Sequence, residues 1–165
     1  MTPAEMFQTE FRRRTPAFAL RLAEPDDASF LRRLFHAVEA PVMPLPPALL
    51  DLQYDSRQQA YAAQFPQAME VVAERDGRPI GHMMIDWDGP DGACGVDLAV
   101  LPDERAGAAG LHLLRAWIAV ADRLARPAVL SVRPGSPVIG LYRRLGFVAV
   151  DAQIVPIRMK RPMTA

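Results

Sequence analysis

The chain has 165 residues, half of them hydrophobic and 23% charged, which fits one domain with a real core and argues against a disordered chain. Nineteen basic residues balance nineteen acidic ones, so there is no positive excess for general nucleic-acid binding; Arg12 to Arg14 and the pair Arg143 and Arg144 are local basic runs. The single cysteine, Cys94, excludes an intramolecular disulfide, no Cys/His cluster has zinc-ligand spacing, and neither a membrane span nor a secretory signal can be read, so a metal-free cytoplasmic protein is expected.

Residues 1–16 read as an N-terminal arm or short helix ahead of a domain covering 17–162. A first strand is expected over Phe18 to Ala23, where Phe18, Leu20 and Leu22 alternate against Arg21. Pro25-Asp26-Asp27 opens a helix with Phe30, Leu31, Leu34, Phe35 and Val38 at helical spacing. Four prolines between Pro41 and Pro47 exclude regular structure there, and Pro47 suits the first turn of a helix reaching about Phe65. Leu49, Leu50, Gln53, Tyr54, Tyr61 and Phe65 are available for one broad face of that helix. Met69 to Glu74 and Arg78 to Trp87 read as a hairpin about Asp76-Gly77.

After the turn Gly89-Pro90-Asp91-Gly92, the run Gly95 to Leu101 is apolar except for Asp97 and reads as a buried strand. A small-residue loop leads into an apolar helix carrying Leu111, Leu113, Leu114, Trp117, Ile118, Val120, Ala121 and Leu124. Val129 to Val132 is a short strand, Pro137 to Leu145 a helix stopped by Gly146. Phe147 to Val150 and Ile154 to Met159 are the last strands. The order β α α β β β α β α β β predicts an α+β fold, four helices on a mostly antiparallel, mixed seven-stranded sheet.

Two units carry chemistry. The first is strand, loop and helix from Val96 to Leu124. Its small residues free backbone N–H groups, and the helix N-terminus adds unpaired N–H groups and partial positive charge, together an anion site suited to pyrophosphate. A tight connection with small residues for packing is the alternative. Neither G-x-x-x-x-G-K-[ST] nor G-x-G-x-x-G in a parallel βαβ unit is present, which excludes a triphosphate P-loop and disfavours a dinucleotide fold. The second unit runs from Ser131 to Phe147 and places Tyr142 on a short helix after a strand. Its phenol is either a general acid or an amphipathic packing residue.

Taken together, Leu101-Pro102-Asp103-Glu104-Arg105-Ala106-Gly107-Ala108-Ala109-Gly110 and Ser136-Pro137-Val138-Ile139-Gly140-Leu141-Tyr142-Arg143-Arg144-Leu145-Gly146-Phe147 resemble the two motifs of the GNAT superfamily of acetyl-CoA-dependent N-acetyltransferases. The first matches R/Q-x-x-G-x-G/A, with Arg105 in its first place and Gly110 in its last; the second matches N-P-A-x-x-L-Y-x-R-L-G-F. The strand order extends the resemblance over nearly the whole chain. Leu52-Gln53-Tyr54, Gln58 to Tyr61 and Phe65-Pro66 also resemble a bacterial GNAT subgroup with a Gln-rich second helix. Ala108 stands where Gly is usual, and Ser136 where Asn is common. The alanine Cβ either crowds the pyrophosphate or is tolerated in helical dihedrals, and a hydroxyl replaces one amide hydrogen bond but not two.

The resemblance implies acetyl transfer from acetyl-CoA to an amine: a small amine, a peptide N-terminus or a lysine. A fourth strand with a bulge would splay from the fifth. Leu98, Ala99 and Val100 would hold the pantetheine and the thioester carbonyl. Backbone N–H groups of Arg105, Ala106, Gly107, Ala108, Ala109, Gly110 and Leu111 would hold the pyrophosphate, with Ser136 and Ile139 also at the cofactor. Tyr142 would also lie at the cofactor, near the sulfur, and protonate the departing thiolate.

A neutral amine is needed for attack, so a base is useful. Asp97 is the first candidate, burial being expected to raise its pKa; a structural acid is its alternative, and an ordered water can also serve. Asp86 and Glu70 are weaker candidates, because strand alternation places acids on solvent faces. His36, His82 and His112 read as structural or surface residues, and Cys94 as a small core residue. A non-catalytic CoA-binding regulatory module and a CoA-free interaction domain are the competing functions. Edge strands near the C-terminus leave a homodimer open.

Overall fold

The Asp76-Gly77 pair turns the hairpin that carries part of the site. Both residues have positive φ, 52° and 75°, as the tight turn of a two-residue hairpin requires. In the computed structural model, which describes residues 1–151 and 153–164, this turn joins β2 (Met69–Arg75) to β3 (Arg78–Asp86). Before them come α1 (Pro3–Arg14), β1 (Ala19–Leu22), α2 (Ala28–Glu39) and α3 (Pro47–Gln64). After them come β4 (Ala93–Val100), α4 (Ala109–Arg123), β5 (Ala128–Val132), α5 (Ile139–Arg144), β6 (Val148–Asp151) and β7 (Ile157–Arg161). Short 3-10 turns cover Pro25–Asp27 and Pro102–Gly107.

The seven strands form one sheet in the order β1-β2-β3-β4-β5-β7-β6, antiparallel except for the β4–β5 pair. This is the expected α+β architecture. The last strand begins at Ile157 rather than Ile154. Five α-helices are present among the described residues rather than four, the added one being α1.

The first sixteen residues do not form a loose arm. Thr2 caps α1 through a reciprocal box with Glu5, its hydroxyl accepting from the Glu5 N–H and its own N–H donating to the Glu5 carboxylate at 2.7 Å. Phe7 and Phe11 are fully buried, and Phe7 meets Trp87 edge-on at 5.9 Å between ring centres. Glu10, also buried, pairs with Arg13 at 3.4 Å and with Arg14, so one negative charge offsets part of the basic run.

One sheet face packs against α1 and α4, around Met83, Ile85, Leu113, Trp117 and Val120. The other face packs Val72 against Phe30 and Leu34 of α2. The outer helix α3 departs from expectation. Of its broad face only Leu50 is buried; Leu49 and Gln53 are exposed, and Tyr54, Tyr61 and Phe65 are half-buried. Polar and aromatic contacts hold it instead. Arg32 of α2 reaches Asp51 at 3.2 Å and Asp55 at 2.8 Å, His36 reaches Asp51 at 2.8 Å, and Tyr54 packs on Phe35 at 5.4 Å. A helix held this way leaves space beneath it, and that space forms part of the site. Among the described residues no helix is long and apolar enough to cross a membrane.

Candidate active site

The site begins at a bulge. Met84 of β3 pairs with Asp97 and the next residue, Ile85, pairs with Gly95, so Val96 is an extra residue on β4. A bulge bends its strand and increases local twist. Beyond it β4 leaves β5: the two strands pair only at Ala93, Cys94 and Gly95 with Ala128, Val129 and Leu130. β5 instead continues alongside β7 as far as Val132. The β5-facing edge of β4 from Val96 to Val100 therefore lacks a strand partner and lines an open cleft. Leu98, Ala99 and Val100, the expected pantetheine residues, lie on this splayed half.

Aromatic packing positions Tyr142 at the cleft. A Cβ on Gly95 would come within 3.0 Å of the Trp117 ring, so the absence of a side chain admits Trp117 beneath the point of divergence. Trp117 stacks on Phe147 with centres 5.7 Å apart, and Phe147 meets Tyr142 edge-on at 5.9 Å. The run Leu145-Gly146-Phe147 makes this possible. Gly146 has φ 97°, the Gly146 N–H donates to the Arg143 carbonyl, and the Phe147 N–H donates to the Tyr142 carbonyl at 3.0 Å. This Schellman closure ends α5 and turns Phe147 into the core. Burial raises the pKa of Tyr142, with a smaller contribution from the charge of Asp97, so the phenol carries its proton at neutral pH.

Asp97 lies on the opposite sheet face from Trp117, and its surroundings correct the expected pKa. Burial does favour the neutral acid, but the His82 ring lies 3.3 Å away and outweighs it, so the pKa is lowered. The other ring nitrogen of His82 lies 2.7 Å from Glu70. Burial opposes charge on this ring, yet its two carboxylate partners hold its pKa at about 9. The result is a carboxylate–imidazolium–carboxylate row across β4, β3 and β2, with His82 buried, 7% exposed at its side chain, between two half-buried carboxylates.

The sequence reads His82 as a structural or surface residue and Glu70 as a weaker base candidate. The turn at Asp76-Gly77 does not carry the missing signal, because continued from Arg75 opposite Arg78 it would pair Glu70 with Met83. A shift of one residue in the register between Ala73 and Glu74 pairs Glu70 with Met84 instead and makes His82 its same-face diagonal neighbour. Asp86 stands apart, its carboxylate accepting from the Asp88 N–H.

The row floors a cavity of about 40 Å³ between the sheet and α2 and α3, room for roughly two or three water molecules. Leu31, Leu34, Phe35 and Val38 supply an apolar wall, while Tyr54, Arg57 and Gln58 supply a polar one. The remaining histidines lie elsewhere. His36 pairs with Asp51, and His112 has its pKa lowered, by burial first and then by Arg115. Burial pushes the Cys94 thiol up to about 11, which keeps it protonated.

In the loop before α4, the Ala108 N–H donates to the Arg105 carbonyl and is spent there. The first α4 bond runs from the His112 N–H to the Ala108 carbonyl, so the N–H groups of Ala109, Gly110 and Leu111 have no partner within the helix. A Cβ on Gly110 would meet only Val100, at 3.6 Å, leaving the approach to these groups open. Arg105, Ala106 and Gly107 instead lie within the 3-10 turn. Ser136 stands at the turn into α5, where its carbonyl accepts from the Ile139 N–H at 3.3 Å.

Ala108 is not in helical dihedrals: φ is 60° and ψ 24°, the left-handed region, where a Cβ costs about 1–2 kcal/mol. Ala108→Gly is therefore expected to relieve that strain, offset in part by the greater freedom of glycine in the unfolded chain. A net gain of roughly 0.5–1 kcal/mol in urea unfolding is expected. A loss of stability would show that the alanine side chain is supported by its surroundings.

The profile of the "Acetyltransferase (GNAT) domain" matches residues 66–149, from the strands β2 to β4 through the loop and α5 to β6. The chain belongs to the GNAT acetyltransferase family. Solved GNAT structures share its fold at low sequence identity. The PaiA N-acetyltransferase of Thermoplasma acidophilum, in complex with coenzyme A, superposes with a TM-score of 0.67 at 13% identity, over 88% of this chain and 98% of that one. The ribosomal-protein-S18-alanine N-acetyltransferase of Escherichia coli gives 0.65 at 18% identity, over 90% and 95%. A GNAT family acetyltransferase of Brucella melitensis in complex with acetyl-CoA gives 0.60 at 22% identity, over 90% and 89%. No curated protein sequence matches this GNAT chain.

Proposed function

We propose that this protein transfers the acetyl group of acetyl-CoA directly to a primary amine. The observation that carries this reading is the splay of β4 from β5 past Gly95, with the protonated phenol of Tyr142 held through Phe147 on Trp117 beneath the point of divergence. The coenzyme A and acetyl-CoA in two of the similar structures support the choice of donor.

The residues divide the work. The N–H groups of Ala109, Gly110 and Leu111 hold the pyrophosphate at the positive end of α4. The free edge of β4 from Leu98 to Val100 holds the pantetheine arm. The acceptor ammonium first loses a proton to water; the lone pair of the neutral amine then attacks the thioester carbon, the C–N bond forms, the C–S bond breaks, and the thiolate takes the Tyr142 proton, which the phenol regains from solvent. Nitrogen becomes cationic as its new bond forms, and the Asp97 carboxylate, kept ionised by His82, faces that charge. The nitrogen proton then leaves through the carboxylate to water in the cavity. Asp97 thus acts as an anionic partner of the nitrogen rather than as a base of raised pKa.

Calorimetric titration with acetyl-CoA, desulfo-CoA and ATP tests the donor site. Both CoA compounds are expected to bind in the micromolar range and ATP not at all. Because the fold has room for a Cβ at Gly110, Gly110→Phe is expected to weaken acetyl-CoA binding at least tenfold with little change in thermal stability. Binding unaltered by Gly110→Phe would remove the loop from the site, and no CoA binding by the wild-type protein would remove the enzymatic reading.

A further inference from the structure

Two charged clusters of opposite sign meet in the cavity beneath α3. On its floor, Glu70, His82 and Asp97 carry two negative charges and one positive. On its rim, Glu39 at the end of α2 faces Arg133 and Arg57, one negative charge against two positive. Arg133 satisfies both Glu39 oxygens, at 2.7 and 2.8 Å. Arg57 is only 3.5 Å from the same carboxylate, a marginal contact, and its guanidinium lies 4.8 Å from the centre of the Phe35 ring. Glu39 is thus already paired without Arg57, which lines the cavity with its side chain about a quarter exposed.

Resting on the acetyl-transfer reading, we infer that the acceptor is an amine that also carries a carboxylate, an α-amino acid, held by its nitrogen at Asp97 and by its carboxylate at Arg57. The floor has a net charge of minus one and the rim of plus one, so a zwitterion matches both poles. An amine without a carboxylate matches only the floor, and a polyamine places a second positive charge near Arg57. A guanidinium presents donors in a planar fork suited to a carboxylate. The electrostatic reach is present, since Arg57 is one of the charges that lower the pKa of Asp97. The apolar wall of Leu31, Leu34, Phe35 and Val38 suits an aliphatic or aromatic side chain. The cavity is narrow, about 40 Å³, so an acceptor that reaches Asp97 must displace its water.

The test uses matched pairs that differ by the carboxylate: L-leucine with 3-methylbutylamine, L-phenylalanine with 2-phenylethylamine, and spermidine as a fully cationic acceptor. Acetyl transfer is followed by release of the CoA thiol. The wild-type protein is expected to favour the amino acid of each pair by tenfold or more in kcat/KM. Arg57→Gln is expected to bring that ratio near one through a raised KM for the amino acid, and Arg57→Lys to keep part of it; acetyl-CoA titration checks that each variant is folded. A wild-type preference for the decarboxylated amines or spermidine would overturn the inference, as would a ratio that Arg57→Gln does not move. Acetyl-CoA binding without transfer to any of these amines would sink the transfer reading, and this inference with it.

Discussion

Tyr142→Phe is expected to lower kcat for acetyl transfer by about 10²- to 10³-fold, the lower part of the range for loss of a positioned general acid. Acetyl-CoA affinity should remain within about twofold, because the pyrophosphate and pantetheine contacts proposed above are backbone groups of α4 and β4 and not the phenol. The substitution keeps the ring that packs on Phe147, so the aromatic row from Gly95 through Trp117 remains intact. The raised pKa of the phenol keeps it protonated near neutrality, so its proton is in place when the sulfur departs. Rates measured at saturating acetyl-CoA, with Kd determined separately by calorimetry, check this. A kcat within twofold of wild type would assign Tyr142 to packing and leave thiolate protonation to water.

The second large effect lies far from the cleft. Phe11→Ala is expected to destabilise the protein by about 3–5 kcal/mol, the cost of emptying a fully buried aromatic site. For a chain of this length that corresponds to a fall of roughly 10 °C in Tm. The reason is that α1 closes the outer side of the α4 layer: Phe7 and Phe11 belong to the same cluster as Leu113, Trp117 and Ile85. Denaturant unfolding followed by tryptophan fluorescence measures it, and Arg12→Ala on the exposed side of the same helix serves as comparison. Equal, small effects at both positions would show that α1 adds little to the core.

The period of the apolar residues and the turn signals made most of the fold legible. Asp76-Gly77, Gly146 and the prolines of 41–47 are local determinants, and local chemistry is what a sequence displays. The same holds for Tyr142, read from its place before Leu145-Gly146-Phe147. Residues 1–16 were harder because Phe7 and Phe11 alone mark the buried face of α1, and their burial depends on α4. The packing of α3 is not legible in the sequence, because half-apolar spacing does not distinguish a packed helix from one held by Arg32, His36 and Asp51.

The composition and the two motifs by themselves determined the family architecture and the position of the phenol. Tertiary structure alone decided the charge state of Asp97. That residue was read as an acid whose pKa burial would raise; what reverses the direction is His82, fifteen residues away in sequence and brought to 3.3 Å by pairing of β3 with β4. It also decided that Ala108 is left-handed and that Arg57 stands beside a carboxylate already paired. A pKa or a charge left over depends on distances between residues remote in the chain, and those distances exist only once the strands have paired.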